Sequence, residues 1–195
     1  TGRVPRVVMS ITFLGTLMMP LQYAVLLGVA TSVMLYVFQG ANQIRLVELV
    51  PVKGGFPTER PVPRQLASRK VTGLYPYGSL FYAAAKTLEE NLPAAENARQ
   101  AVVIFILRGY DQFGSTMIGV LDRYARTLQR NGGRLMLAGV SEGVFQQLER
   151  TGLINLIGRE NVFVAQPQLG AAANEAFAAA QAWLESLDQP DGQAG

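Results

Sequence analysis

Residues 101–140, AVVIFILRGYDQFGSTMIGVLDRYARTLQRNGGRLMLAGV, hold a strand, a helix and a second strand in succession. The first seven residues are continuously apolar and rich in β-branched side chains, the pattern of a strand buried on both faces. Residues 134–140 repeat that pattern. Between the two strands Met117, Leu121, Tyr124 and Leu128 recur every three or four positions, with Asp122, Arg123, Arg126 and Arg130 largely off that stripe. This predicts a helix over about 115–131, ended by Gly132-Gly133. Working downstream, Val144, Phe145 and Leu148 predict a helix over 142–151 that stops at Gly152, and NVFVA at 161–165 is a third strand. Ala173, Phe177, Ala180, Trp183, Leu184 and Leu187 align on a last helix over 171–187. Upstream, KVTGLYPYG at 70–78 and a helix over 81–91, with Ser79 as its cap, add one more strand and helix. Alternation of this kind places 71–188 in one α/β domain, followed by a tail, 189–195, expected to be disordered.

The amino-terminal part obeys a different physics. From Val7 to Ile44 no residue is charged, and VVMSITFLGTLMMPLQYAVLLGVATSVMLYVF at 7–38 is almost continuously apolar. One helix of 32 residues would be about 48 Å long, against a hydrocarbon core of about 30 Å. Two helices fit better, and Pro20, which lacks an amide hydrogen, marks the turn between them. Residues 1–43 are therefore expected to form a transmembrane or half-membrane hairpin in the lipid bilayer. Arg3 and Arg6 precede it and Arg45 and Lys53 follow it, which places both ends on the cytoplasmic side. Residues 44–70 change character again, with Pro51, Pro57, Pro61, Pro63 and a Gly54-Gly55 pair, and read as a basic connector in which 44–50 can supply an edge strand. Residues 1–70 carry eight basic and two acidic side chains, while the rest of the chain is net acidic.

Composition removes several function classes. The chain has no Cys and no His, so disulfides, thiol chemistry, Ser-His-Asp triads and ordinary zinc or haem sites are not expected. A net charge of +3 on 195 residues gives no basic patch for nucleic acid. Neither GxGxxG nor GxxxxGK occurs, so a dinucleotide or Walker loop is not expected either. With no nucleophile-base pair in view, the expectation is no enzyme, no cofactor and no metal. The segment that remains is the turn at 108–116, which lies beyond a strand's carboxyl end and at a helix's amino end. Its candidate ligand or regulatory residues are Asp111, Gly114, Ser115 and Thr116. Ser115 either caps the helix or offers a hydroxyl to a ligand or a phosphoryl group. Asp111 is either a turn former or a recognition carboxylate.

The order of parts resembles the carboxyl end of a SulP (sulfate permease) family anion transporter, its last membrane helices plus a STAS domain. The segments that carry the likeness are GSLFYAAA at 78–85, AVVIFILRG at 101–109, GSTMIGVLDRYARTLQRNGGRLMLAGV at 114–140 and VFQQLERTGLINLIGRENVFVA at 144–165. The resemblance implies a membrane α-helical hairpin followed by an α/β STAS-like domain, a central mixed sheet with helices packed on it. STAS turns commonly read Asp-Ser-Thr/Ser-Gly-Leu, with the Ser phosphorylated in the related anti-sigma-factor antagonists. Here Gly114-Ser115-Thr116-Met117-Ile118 keeps the Ser and departs at Gly114 and Met117. The resemblance further implies transport of sulfate, bicarbonate or a similar anion, through substrate-binding residues upstream of Thr1. It implies a homodimer in the inner membrane, and a cytoplasmic STAS domain that regulates transport or assembly through a cytosolic protein or nucleotide. The alternative is a stand-alone, membrane-tethered STAS regulator.

Overall fold

Helix α1, Leu21–Ala41, is built of 21 residues with no charge among them. Its large apolar side chains are exposed over most of its circumference, Leu26 to 65%, Met34 to 73% and Tyr36 to 81%, whereas Ala24 is fully buried and Gly28, Thr31 and Leu35 on the same stripe are half-buried. The Thr31 hydroxyl donates to the Leu27 carbonyl at 2.7 Å, so this polar group is satisfied within the helix. The computed structural model describes residues 9–10, 13, 21–41, 45–52, 57–78 and 82–188. Over its described side chains, from Gln22 to Tyr36, α1 falls short of a span, and no helix among the described residues is long and apolar enough to cross a membrane. Pro20, most of the first half of the hairpin, Gly54, Gly55, Ser79 and the tail lie outside the described residues.

Residues 1–43 form one unit and 44–195 a second. The second unit runs β1 (Arg45–Val50), β2 (Thr58–Pro61), β3 (Val71–Tyr77), α2 (Tyr82–Asn91), β4 (Val102–Ile106), α3 (Ser115–Arg130), β5 (Arg134–Val140), α4 (Glu142–Thr151), α5 (Leu153–Ile157), a 3₁₀ turn (Arg159–Asn161), β6 (Val162–Val164) and α6 (Ala171–Ser186). The sheet order is β2-β1-β3-β4-β5-β6. β1 is antiparallel to both of its neighbours, whereas β3 through β6 are parallel, so the sheet is mixed. Each parallel step needs a crossover, and α2, α3 and α4 with α5 supply them, which keeps the strands in sequential order.

Period-two alternation sorts the strand residues between two cores. Val103, Phe105, Leu107, Leu135 and Leu137 meet Leu88 of α2, Met117, Leu121 and Leu128 of α3, and Val144 and Leu148 of α4. Val102, Ile104, Ile106, Met136 and Ala138 face the other way, toward Ala176 and Ala180 of α6 with Phe177 and Trp183 beside them. Burial on both faces is why β4 and β5 read as unbroken apolar runs. Phe177 lies directly over Gly73 of β3: a Cβ there would sit 2.5 Å from a ring carbon and 2.9 Å from the Leu49 carbonyl oxygen.

The stretch 44–70, expected as a connector with an edge strand, contributes two strands. β1 lies inside the sheet, with Val47 opposite both Pro61 and Tyr75, and β2 is the edge. Pro61 ends β2 on the outermost strand, where a missing amide hydrogen is tolerated. Helix α5 and the 3₁₀ turn, within GLINLIGREN, were not anticipated; Leu153, Ile154 and Ile157 are buried there. Other boundaries move by a residue or so, as helix and strand ends ordinarily do.

Candidate functional site

The turn between β4 and α3 sits at the carboxyl ends of the parallel strands and is held from both sides. At its start the Leu107 amide donates to the Ala138 carbonyl at 2.8 Å, continuing the β4–β5 ladder. The Tyr110 hydroxyl lies 2.7 Å from the Pro76 carbonyl oxygen and 2.8 Å from that of Gly78, and shares its one proton between them at the end of β3. Burial, with Tyr75 nearby as the lesser cause, pushes the Tyr110 pKa up to about 12, so the group remains a neutral donor.

The other side of the turn rests on α4. Ser141, the N-cap of α4, accepts from the Val144 amide at 3.3 Å and donates through Oγ to the Tyr110 carbonyl at 2.9 Å. Gln147 brackets Phe113: its Oε1 accepts from the Phe113 amide at 2.9 Å and its Nε2 donates to the Phe113 carbonyl at 2.6 Å. Gly143 lets the two segments touch, since a Cβ there would lie 2.5 Å from the Asp111 carbonyl oxygen.

The turn delivers its candidates to the surface. Asp111, Ser115 and Thr116 are exposed and Gly114 is half-buried. Two expectations need correction here. Gly114, not Ser115, is the N-cap of α3, and it supplies no side-chain cap hydrogen bond. Ser115 is already the first helical residue, because Gly114 takes the extended cap conformation and its carbonyl accepts from the Met117 and Ile118 amides. Nor does the Asp111 side chain make a hydrogen bond among the described residues; Ser141, Gln147 and Tyr110 do the work expected of a turn-forming carboxylate. With no side-chain acceptor at the cap, the amides of Ser115 and Thr116 have no partner in the helix, and the helix dipole leaves partial positive charge there.

Ser141 and Gln147 were missed from sequence. Ser141 carried a readable signal, a cap residue directly before the α4 stripe; Gln147 carried none. A separate cleft of about 670 Å³ lies between β1, β2 and the end of α2, with Arg45, Arg60, Arg64, Glu59 and Glu90 around it. Its charges are of both signs, and it is lined by none of the turn residues.

The profile of the STAS domain matches residues 67–166, from just before β3 to just after β6. The chain belongs to the STAS domain family. β1, β2 and α6 lie outside the matched STAS region. No curated protein matches the chain. Among solved structures, it is similar to the murine Solute Carrier 26 family member A9 (Slc26a9) anion transporter in the inward-facing state, with a TM-score of 0.64 and 18% identity over 93% of this chain and 29% of that one. A structure of SLC26A9 gives 0.64 and 15% over 98% of this chain and 32% of that one. A sulfate transporter family protein from Wolinella succinogenes gives 0.50 and 25% over 62% of this chain and 93% of that one. The chain thus spans about a third of the length of the two SLC26A9 structures.

Proposed function

We propose that the chain is the carboxyl-terminal part of a SulP-type secondary transporter of an inorganic or small organic anion, with a STAS domain that regulates transport or assembly. The observation that carries this reading is the joining, in one chain, of a STAS domain to an uncharged apolar helix that leaves large apolar side chains exposed over most of its surface. Water does not favour such a surface, whereas lipid or neighbouring transmembrane helices do. In this reading 1–43 is a membrane hairpin that turns at Pro20 and completes the transporter's scaffold, and both of its ends face the cytoplasm. Likeness to two anion-transporter structures over 93% and 98% of the chain, well beyond the STAS region, supports the same assignment.

The transporter is a homodimer in the inner membrane, and its anion site lies on membrane helices upstream of Thr1. The turn of the STAS domain, with Ser115 and Thr116 at an open helix end and Asp111 beside them, is the regulatory surface for a cytosolic protein or a nucleotide. An antibody against residues 71–195, used on membranes of the source cell, tests the proposal. A product much heavier than 21.1 kDa that stays with membranes through an alkaline carbonate wash is expected. A product near 21.1 kDa leaves too few helices for a transport path and overturns it in favour of a tethered regulator.

A further inference from the structure

This inference rests on the reading of the Ser115 turn as a regulatory surface, and adds how that surface is read by the rest of the domain. Three approaches from residues 110–113 all land on residues 141–147: the Tyr110 carbonyl on Ser141 Oγ, the Asp111 carbonyl in the space a Cβ at Gly143 would fill, and both main-chain groups of Phe113 on the Gln147 amide. We propose that Ser141 and Gln147 lock the turn to the first two turns of α4, so that a charge placed at residue 115 is registered at residues 141–147 through Gln147.

The side chain at 147 is suited to this role. Phe113 is only 4% exposed, so water is a poor replacement for either of its bonds. A primary amide holds one acceptor and one donor about as far apart as a peptide group does, and fits both main-chain groups of a residue in the way a neighbouring strand would. A carboxylate offers only acceptors and would face the Phe113 carbonyl with its own negative charge. Met117, in the first turn of α3, is fully buried and anchors the helix that follows residue 115 in the core. A displacement of residues 114–116 therefore passes more readily back through Gly114 to Phe113 than forward into the helix.

Amide hydrogen exchange of the full chain in detergent micelles, compared across wild type, Ser115→Glu, Gln147→Ala and the double variant, tests the lock. In the wild-type background, Ser115→Glu is expected to change exchange of peptides covering 141–147 on the order of fivefold, the lower end of ordinary coupling between sites. In the Gln147→Ala background that response is expected to vanish, while peptides over β4 and β5 remain the most protected of the domain, their exchange raised only by the loss of global stability. The same response at 141–147 with and without Gln147 overturns the proposal, and so does no response in the wild-type background. If Gln147→Ala exposes β4 and β5 as well, Gln147→Glu replaces it, with a response at 141–147 below half of the wild-type one expected and an undiminished one overturning the lock. A response at 141–147 without any change in transport or partner binding would sink the regulatory reading and leave the lock standing.

Discussion

The side-chain amide of Gln147 pairs with both the amide and the carbonyl of Phe113, at 2.9 and 2.6 Å, across 34 positions of sequence. Two part-buried hydrogen bonds of about 1 kcal/mol each make this the strongest polar tie between the turn and α4. Gln147→Leu is expected to cost roughly 2 kcal/mol, or about 4–8 °C in melting temperature for a chain of this size. Trp183 is the one tryptophan and packs against the opposite face of the sheet, so its fluorescence reports unfolding of the whole domain. A melt unchanged within a degree would mean that the pairing is not made.

Ser115→Ala separates a cap from a free hydroxyl. Loss of a Ser cap costs about 1 kcal/mol, whereas a surface change away from special features stays within about 0.5 kcal/mol. Because Gly114 is the cap and bonds through no side chain, the smaller value is expected by urea titration. A loss near 1 kcal/mol would return Ser115 to the capping role. Ser141→Ala, by contrast, removes a cap and a tether together and is expected to cost more than 1 kcal/mol.

Tyr110 makes stability depend on alkaline pH. Its folded pKa, about 12, stands above the ordinary 10.0 because burial disfavours the phenolate. Below about pH 10 both folded and unfolded states keep the proton, and the contribution is fully present. As pH rises from 10 toward 12 the unfolded chain releases its proton first, so stability falls over that window. Tyr124, buried and also raised, slopes the same way. Tyr110→Phe is therefore expected to shallow the alkaline loss without abolishing it, in melts taken every half unit from pH 8 to 12. Parallel curves for the two proteins would contradict the assignment.

Gly73→Ala is expected to destabilise by about 1–3 kcal/mol, the usual range for overpacking. Its methyl would press on the Phe177 ring and on the main-chain oxygen of Leu49. Pairing it with Phe177→Leu is expected to relieve the ring contact and recover part of the loss, but not the part owed to Leu49, whose backbone is held in the β1–β3 ladder. Full recovery in denaturant titration would show that the ring alone sets the cost.

Local periodicity was sufficient for β4, α3, β5 and α4, since each buries a face through residues only two to four positions apart and must display that spacing. Charge distribution and the largely apolar run at 7–38 are equally local and set residues 1–43 apart from the domain, the same division that the structure makes. The pairing of β1 with β2 was not legible, because PTERPVP at 57–63 has the composition of a linker and becomes a strand only when β1 offers its edge. Ser115 and Gly114 both suit a cap, and the choice between them is set by a backbone angle that neither side chain dictates. Gln147 shows most plainly where sequence stops. Its helix position was predictable from spacing alone, but its partner at Phe113 follows from how the crossover connections bring β4 and β5 side by side, and a long-range bond of that kind leaves no period to read.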